Sequence, residues 1–141
     1  AEHFVRELEV VTCRFKHPNI VEFIGAGTMQ YEGSVLPMIV YEHASGSVHD
    51  FFLSKSSEKG WKPPKALAFS WCRQLFTALS YLHSLATPFA HRDIKPANLL
   101  ISEDLQTLKL ADFSCAIPII RELDLPSISG SPRYMAPEAI A

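Results

Sequence analysis

Apolar residues fall at Phe4, Leu8, Val11 and Phe15, with Arg6, Glu7, Glu9 and Arg14 between them. Steps of three and four mark one face of a helix, so residues 3–16 read as an amphipathic helix. His17-Pro18-Asn19 ends it, because a residue before proline avoids the helical region. IVEFIGAGTM at 20–29 and VLPMIVYEHA at 35–44 read as strands, with QYEGS as the turn between them. SGSVHDFFLSK predicts a short helix after a Ser-Gly break. SSEKGWKPP at 56–64 is a polar loop with turn residues, in which Trp61 is expected to act as an anchor. The strongest period follows. Leu67, Trp71, Leu75, Leu79 and Leu82 form a core stripe on a helix from Pro64 to Ser84. TPFAHRDIKPAN reads as loop, and LLIS and LKLA as a hairpin around EDLQT. Residues 113–131 read as irregular, with Pro118 and Pro126 inside them. An irregular stretch of that length in a compact domain is usually functional or disordered.

Composition narrows the classes. The 141 residues are 48% hydrophobic and 20% charged, which suits one globular domain with a real core. A net charge of -2 gives no basic excess for nucleic acid or an anionic membrane. No apolar run approaches the ~20 residues that span a bilayer, and the start has no signal-peptide pattern. Cys13, Cys72 and Cys115 are odd in number and far apart. They suggest neither a disulfide framework nor a metal site, so a reducing, cytoplasmic setting is expected. Cys115 is expected to pack rather than react. Both ends read as cuts: the chain opens without methionine inside a helix pattern and stops at APEAIA.

The chemistry concentrates in FAHRDIKPANLLI, residues 89–101. Charges held near a core cost free energy unless they are paired or working. Asp93 stands on a loop after the long helix, with Lys95 and Asn98 just beyond it, and Asp112 follows the hairpin. A hairpin brings Asp112 back towards Asn98. An amide oxygen and a carboxylate converging there are the hard ligands that Mg²⁺ takes alongside phosphates. Asp93 is then left to accept or orient a hydroxyl proton, and Lys95 to neutralise charge on a transferred phosphoryl group. Those are the parts of a phosphotransfer site. Taken singly, the Arg92-Asp93 pair would be no more than a surface ion pair.

HRDIKPANLLI resembles the catalytic loop of protein kinases, ADFSCA their metal-binding D-F-G segment, and GSPRYMAPE the end of their activation segment. HPNIVEFIG is similar to the kinase link between the third helix and the next strand. The resemblance implies an α+β, two-lobed kinase-like fold, present in part: residues 1–43 from the small lobe, and 44–141 from the hinge and the start of the large lobe. It implies Asp93 as catalytic base, Lys95 as the phosphate-facing lysine, and Asn98 and Asp112 as Mg²⁺ ligands. His91 and Phe113 would pack behind the site. Arg92 implies control by activation-loop phosphorylation, with Ser127 and Ser129 as candidate phosphosites. Ser131 would lie in the substrate-docking segment. Tyr41 would be the gatekeeper. The backbone of Glu42 and Ala44 would bind adenine over Leu100, and Glu7, or alternatively Glu9, would pair with the ATP lysine. Lys95 and KPAN point to a Ser/Thr kinase using ATP on a protein substrate, similar to the tyrosine-kinase-like and MAP-kinase-kinase-kinase-like groups.

Two features depart from the family pattern. The sequence has no glycine-rich phosphate loop and no strand lysine, so it reads as the middle of a kinase domain that binds nucleotide poorly alone and exposes apolar surface. Ser114 stands where the motif has glycine, which implies altered switching and leaves Asp112 in place. The competing reading is a truncated or inactive kinase-like chain that acts as a protein-binding module. A small-molecule kinase is disfavoured by GSPRYMAPE.

Overall fold

The computed structural model describes residues 2–120 and 129–140; of residues 2 and 3 it describes the backbone alone. The first helix, α1, runs Glu2–Val11, five residues short of the expected end. Its ladder tightens into three-residue bonds, Cys13 N–H to the Val10 carbonyl at 3.1 Å and Arg14 N–H to the Val11 carbonyl at 2.9 Å. Arg14 then takes a left-handed φ of 53°. That turn lets Phe15 pack against Phe89 and Phe113, with ring centroids 5.4 and 5.3 Å apart.

Strands β1 (Phe23–Tyr31) and β2 (Ser34–Tyr41) pair antiparallel. Glu32 and Gly33, both at positive φ, make the two-residue turn that matches strand twist. The first strand starts three residues later than the sequence suggests. Ile20 instead bridges Leu110 in parallel, and both Ile20 and Val21 are buried.

A two-residue strand β3 (Gly46–Ser47) leads into α2 (Val48–Lys55). The helix starts at Ser47 because the Ser47 hydroxyl accepts from the Asp50 N–H while the Asp50 carboxylate accepts from the Ser47 N–H, a capping box. Trp61 packs edge-on against Phe51 and Phe52, as an anchor should.

Helix α3 (Lys65–Ser84) buries Trp71, Ala78 and Leu82, and Leu67, Leu75 and Leu79 pack half-buried beside them. Strands β5 (Leu99–Ile101) and β6 (Leu108–Leu110) form the expected hairpin, with β3 added antiparallel to β5. Between α3 and β5 the expected loop contains β4 (Phe89–Ala90), which pairs with β7 (Ile117–Pro118) inside the segment read as irregular.

One core gathers Val10, Val11, Ile20, Leu82, Leu110 and Phe113. A second gathers Val48, Trp71, Ile101 and Leu108. Phe69 and Phe76 on α3 stay 73% and 68% exposed, in keeping with the apolar surface expected from the sequence. No helix among the described residues is long and apolar enough to cross a membrane.

Candidate active site

The HRD segment is built around a neutral imidazole. Burial pushes the His91 pKa down, against the pull of the Ala111 carbonyl and of Asp112 and Asp93. Its Nε2 lies 3.0 Å from the Ala111 carbonyl, and its Nδ1 accepts the Asp93 N–H at 3.3 Å. The two bonds fix the Nε2–H tautomer. The Phe113 ring packs edge-on at 5.0 Å, so His91 and Phe113 stack as the resemblance implied. Arg92 turns the chain through a φ of 65°, and its Nε donates to the Cys115 carbonyl at 2.8 Å.

That turn sends Asp93 inward, where it is 6% exposed. Pro96 then opens a single 3-10 turn, Pro96–Asn98, that folds Asn98 back over it. Asn98 Nδ2 donates to the Asp93 carbonyl at 2.9 Å and to its Oδ2 at 3.0 Å. Lys95 Nζ donates to the same Oδ2 at 2.6 Å. Asp93 Oδ1 accepts the Ser131 N–H at 2.8 Å, and Lys95 reaches the Ser131 hydroxyl at 2.9 Å. Burial works to raise the Asp93 pKa. The bonds from Lys95 and Ser131, with the Lys95 charge, outweigh it and hold the carboxyl below its ordinary range.

Asp112 arrives beside this cluster through the hairpin, because the Ala111 N–H donates to the Asn98 carbonyl at 2.9 Å. Asp112 sits at a left-handed φ of 61°. Its Oδ1 accepts the Ser114 N–H at 3.2 Å and the Ser114 hydroxyl at 2.6 Å. Asn98 Nδ2 is taken up by Asp93, and its Oδ1 has no donor among the described residues. The same holds for Asp112 Oδ2. These two oxygens fit a hard cation whose shell is completed by phosphates. Among the described residues no group of three or more His, Cys, Asp or Glu is placed so that it could hold a metal ion.

Of the two candidate glutamates on α1, Glu7 is half-buried and within the influence of the Asp112 charge, and Glu9 is exposed. The Tyr41 hydroxyl donates to Glu7 Oε1 at 2.5 Å. Burial raises the Glu7 pKa, the Tyr41 bond lowers it, and the Asp112 charge raises it again, for a net rise.

Glu42 spends its N–H on the Glu22 carbonyl at 3.0 Å, so its carbonyl is the group left for a ligand. Its side chain takes Lys109 Nζ at 2.6 Å on both oxygens and the Glu22 N–H at 2.7 Å. Glu42, Ala44 and Leu100 line one cleft of about 260 Å³, with Ser102, Thr107 and Lys109. None of Asp93, Asn98 and Asp112 borders it. Ser129 is half-buried beside Gly130, and Ser127 lies outside the described residues.

Three relationships escaped the sequence: the Ser131 bonds to Asp93 and Lys95, the Tyr41 bond to Glu7, and the Lys109 pair with Glu42. Only the last left a trace, in the alternation of LKLA, which turns Lys109 away from the buried Leu108 and Leu110.

Comparison with known proteins points to one family. The model of the protein kinase domain matches residues 1–141. A putative mitogen-activated protein kinase kinase kinase 7-like protein of Drosophila melanogaster is 35% identical over 124 residues, covering 88% of this chain and 30% of that protein. Mitogen-activated protein kinase kinase kinase 7 of the same organism is 37% identical, covering 89% of this chain and 17% of that protein. The serine/threonine-protein kinase WNK3 of Mus musculus is 31% identical, covering 97% of this chain and 8% of that protein. The chain therefore spans less than a third of the length of these relatives. With the family model matched from end to end and the motif residues gathered in one place, the chain belongs to the protein kinase family.

Proposed function

We propose that this chain supplies the catalytic loop, the metal-holding residues and the substrate-facing segment of a protein serine/threonine kinase that moves the γ-phosphoryl group of ATP to a protein hydroxyl. One observation carries the reading: the buried Asp93 carboxylate is held by Lys95 and Asn98 of its own loop and by Ser131, which lies 38 residues further along the chain.

Asp93 is ionised at neutral pH, since its pKa is held low. A low pKa makes a weak base, so Asp93 orients the incoming hydroxyl and takes its proton late. The new O–P bond forms on that hydroxyl oxygen. The bond from the γ-phosphorus to the bridging oxygen breaks, and ADP leaves with the electron pair. Lys95, between Asp93 and Ser131, neutralises charge on the transferring group. Asn98 Oδ1 and Asp112 Oδ2 are the atoms that would hold Mg²⁺. When bound, Mg²⁺ offsets the charge of the phosphate oxygens. Most of the rate comes from positioning and charge stabilisation.

The remaining roles rest on the same reading. The Glu42 carbonyl and the Ala44 backbone meet adenine, Leu100 lies beneath it, and Glu7 pairs with a lysine of the ATP site. Arg92 and Ser129 serve regulation, as does Ser127, and Ser131 lines the protein-substrate side. Free Cys13, Cys72 and Cys115 suit a reducing, cytoplasmic setting.

The test is phosphate transfer by the full-length protein from labelled ATP with Mg²⁺ to a general protein substrate. Label on serine and threonine, and none on tyrosine, is expected. Label on tyrosine, or none at all under conditions where the protein binds ATP, would overturn the reading.

A further inference from the structure

We propose that Ser114 is a positioning residue whose hydroxyl holds one oxygen of Asp112 and leaves the other as the oxygen free for a divalent cation, so that this site takes the cation more weakly than it would with glycine. The inference rests on the reading of Asp112 as a metal ligand.

Both donors of Ser114 converge on one atom. The hydroxyl reaches Asp112 Oδ1 at 2.6 Å and the backbone N–H reaches it at 3.2 Å. A carboxylate oxygen offers about two acceptor sites, so Oδ1 is full. Oδ2 has no donor among the described residues.

The backbone bond is open to any residue at position 114 except proline. The hydroxyl bond needs serine or threonine. It is charge-assisted and short, which places it among the stronger hydrogen bonds. The donor stands two residues from the acceptor on a tight turn, so little freedom is lost in forming it. Asp112 itself is fixed at a φ of 61°.

Two consequences oppose each other. The hydroxyl orders the carboxylate, which favours ligation. It also draws charge from Oδ1 and occupies the site through which both oxygens could ligate together. The backbone N–H already supplies the ordering, so the blockade decides the sign. Ser114 thus makes the cation site weaker while keeping its orientation.

The probe is Mn²⁺, titrated into the full-length protein with a non-hydrolysable ATP analogue and followed by the paramagnetic resonance signal of free Mn²⁺. Ser114→Ala and Ser114→Gly should each bind Mn²⁺ roughly tenfold more tightly, the size, though with the opposite sign, of the change that loss of a ligand's hydrogen-bond partner commonly brings. Ser114→Thr, which restores the hydroxyl, should bind as the parent does. Alanine and glycine variants with unchanged or weaker Mn²⁺ binding would overturn the proposal. Asp112→Asn separates the two levels. If it abolishes binding while Ser114→Ala changes nothing, only the role of Ser114 fails. If it leaves Mn²⁺ binding intact, the ligand reading of Asp112 fails with it.

Discussion

Gly130 lies so close to the Arg92 backbone that a Cβ built on it would stand 2.2 Å from the Arg92 carbonyl oxygen. Gly130 also sits at a φ of 111°, which side-chain-bearing residues rarely adopt. Space and conformation both demand glycine there. The contact docks the chain onto the catalytic loop so that the next residue, Ser131, can give its N–H to Asp93. Gly130→Ala should therefore lower phosphotransfer by about a hundredfold, the scale of an ångström-sized misplacement. Rate measurements on the full-length variant, with its melting temperature as a folding control, check this.

Asn19 ties three elements together. Its Nδ2 donates to Gln74 Oε1 and to the Leu108 carbonyl, both at 2.8 Å, and its Oδ1 accepts from the Thr77 hydroxyl at 3.2 Å. Removing it strands a carbonyl on the buried strand β6. Asn19→Ala should cost about 1–3 kcal/mol, the range for an orphaned buried polar group. Urea unfolding at constant slope is the readout.

The α3 stripe makes a paired prediction. Trp71 is buried and donates through Nε1 to the Leu105 carbonyl at 2.9 Å, whereas Phe69 is exposed. Trp71→Ala should cost about 3–5 kcal/mol. Phe69→Ala should stay within about 0.5 kcal/mol. Equal costs at the two positions would mean the helix buries a different face.

Glu7 gives a pH dependence. Burial is the largest influence on its carboxyl, and the net shift is upward from 4.5. The folded state thus holds the proton more tightly than the unfolded state. The stability that Glu7 contributes is fully present below its unfolded pKa and is lost as pH rises through the folded one. Glu7→Gln removes the charge and keeps an oxygen for Tyr41. It should melt higher than the parent chain at pH 7, with the gap closing by pH 4. Thermal melts of both chains across that interval are the measurement, and a gap that widens at low pH would contradict the assignment.

The candidate site residues were legible because their spacing is a property of the chain. Asp93, Lys95 and Asn98 share one turn, and a hairpin returns Asp112. The α3 stripe was legible because burial follows the helical period over 20 residues. Other features had no local signal. The pairs Phe89–Pro118 and Ala90–Ile117 make strands of two residues each, too short for an alternation to appear. The early end of α1 depends on Arg14 at positive φ, a choice driven by Phe15 packing rather than by Arg14 itself. The need for glycine at 130 arises from a contact 38 residues away in sequence, between Gly130 and Arg92. The bond between Tyr41 and Glu7 likewise joins residues that only the fold brings together.

The most direct test of the account is the phosphotransfer rate of full-length Asp93→Asn beside the parent protein, with ATP affinity and melting temperature measured on both. The substitution keeps shape and an oxygen but cannot take a proton. A fall of about 10²–10⁴-fold in rate, the usual share of a general base, with ATP affinity and folding preserved, is predicted. A variant that folds, binds ATP and transfers phosphate at the parent rate would contradict the role given to Asp93 and the function built upon it.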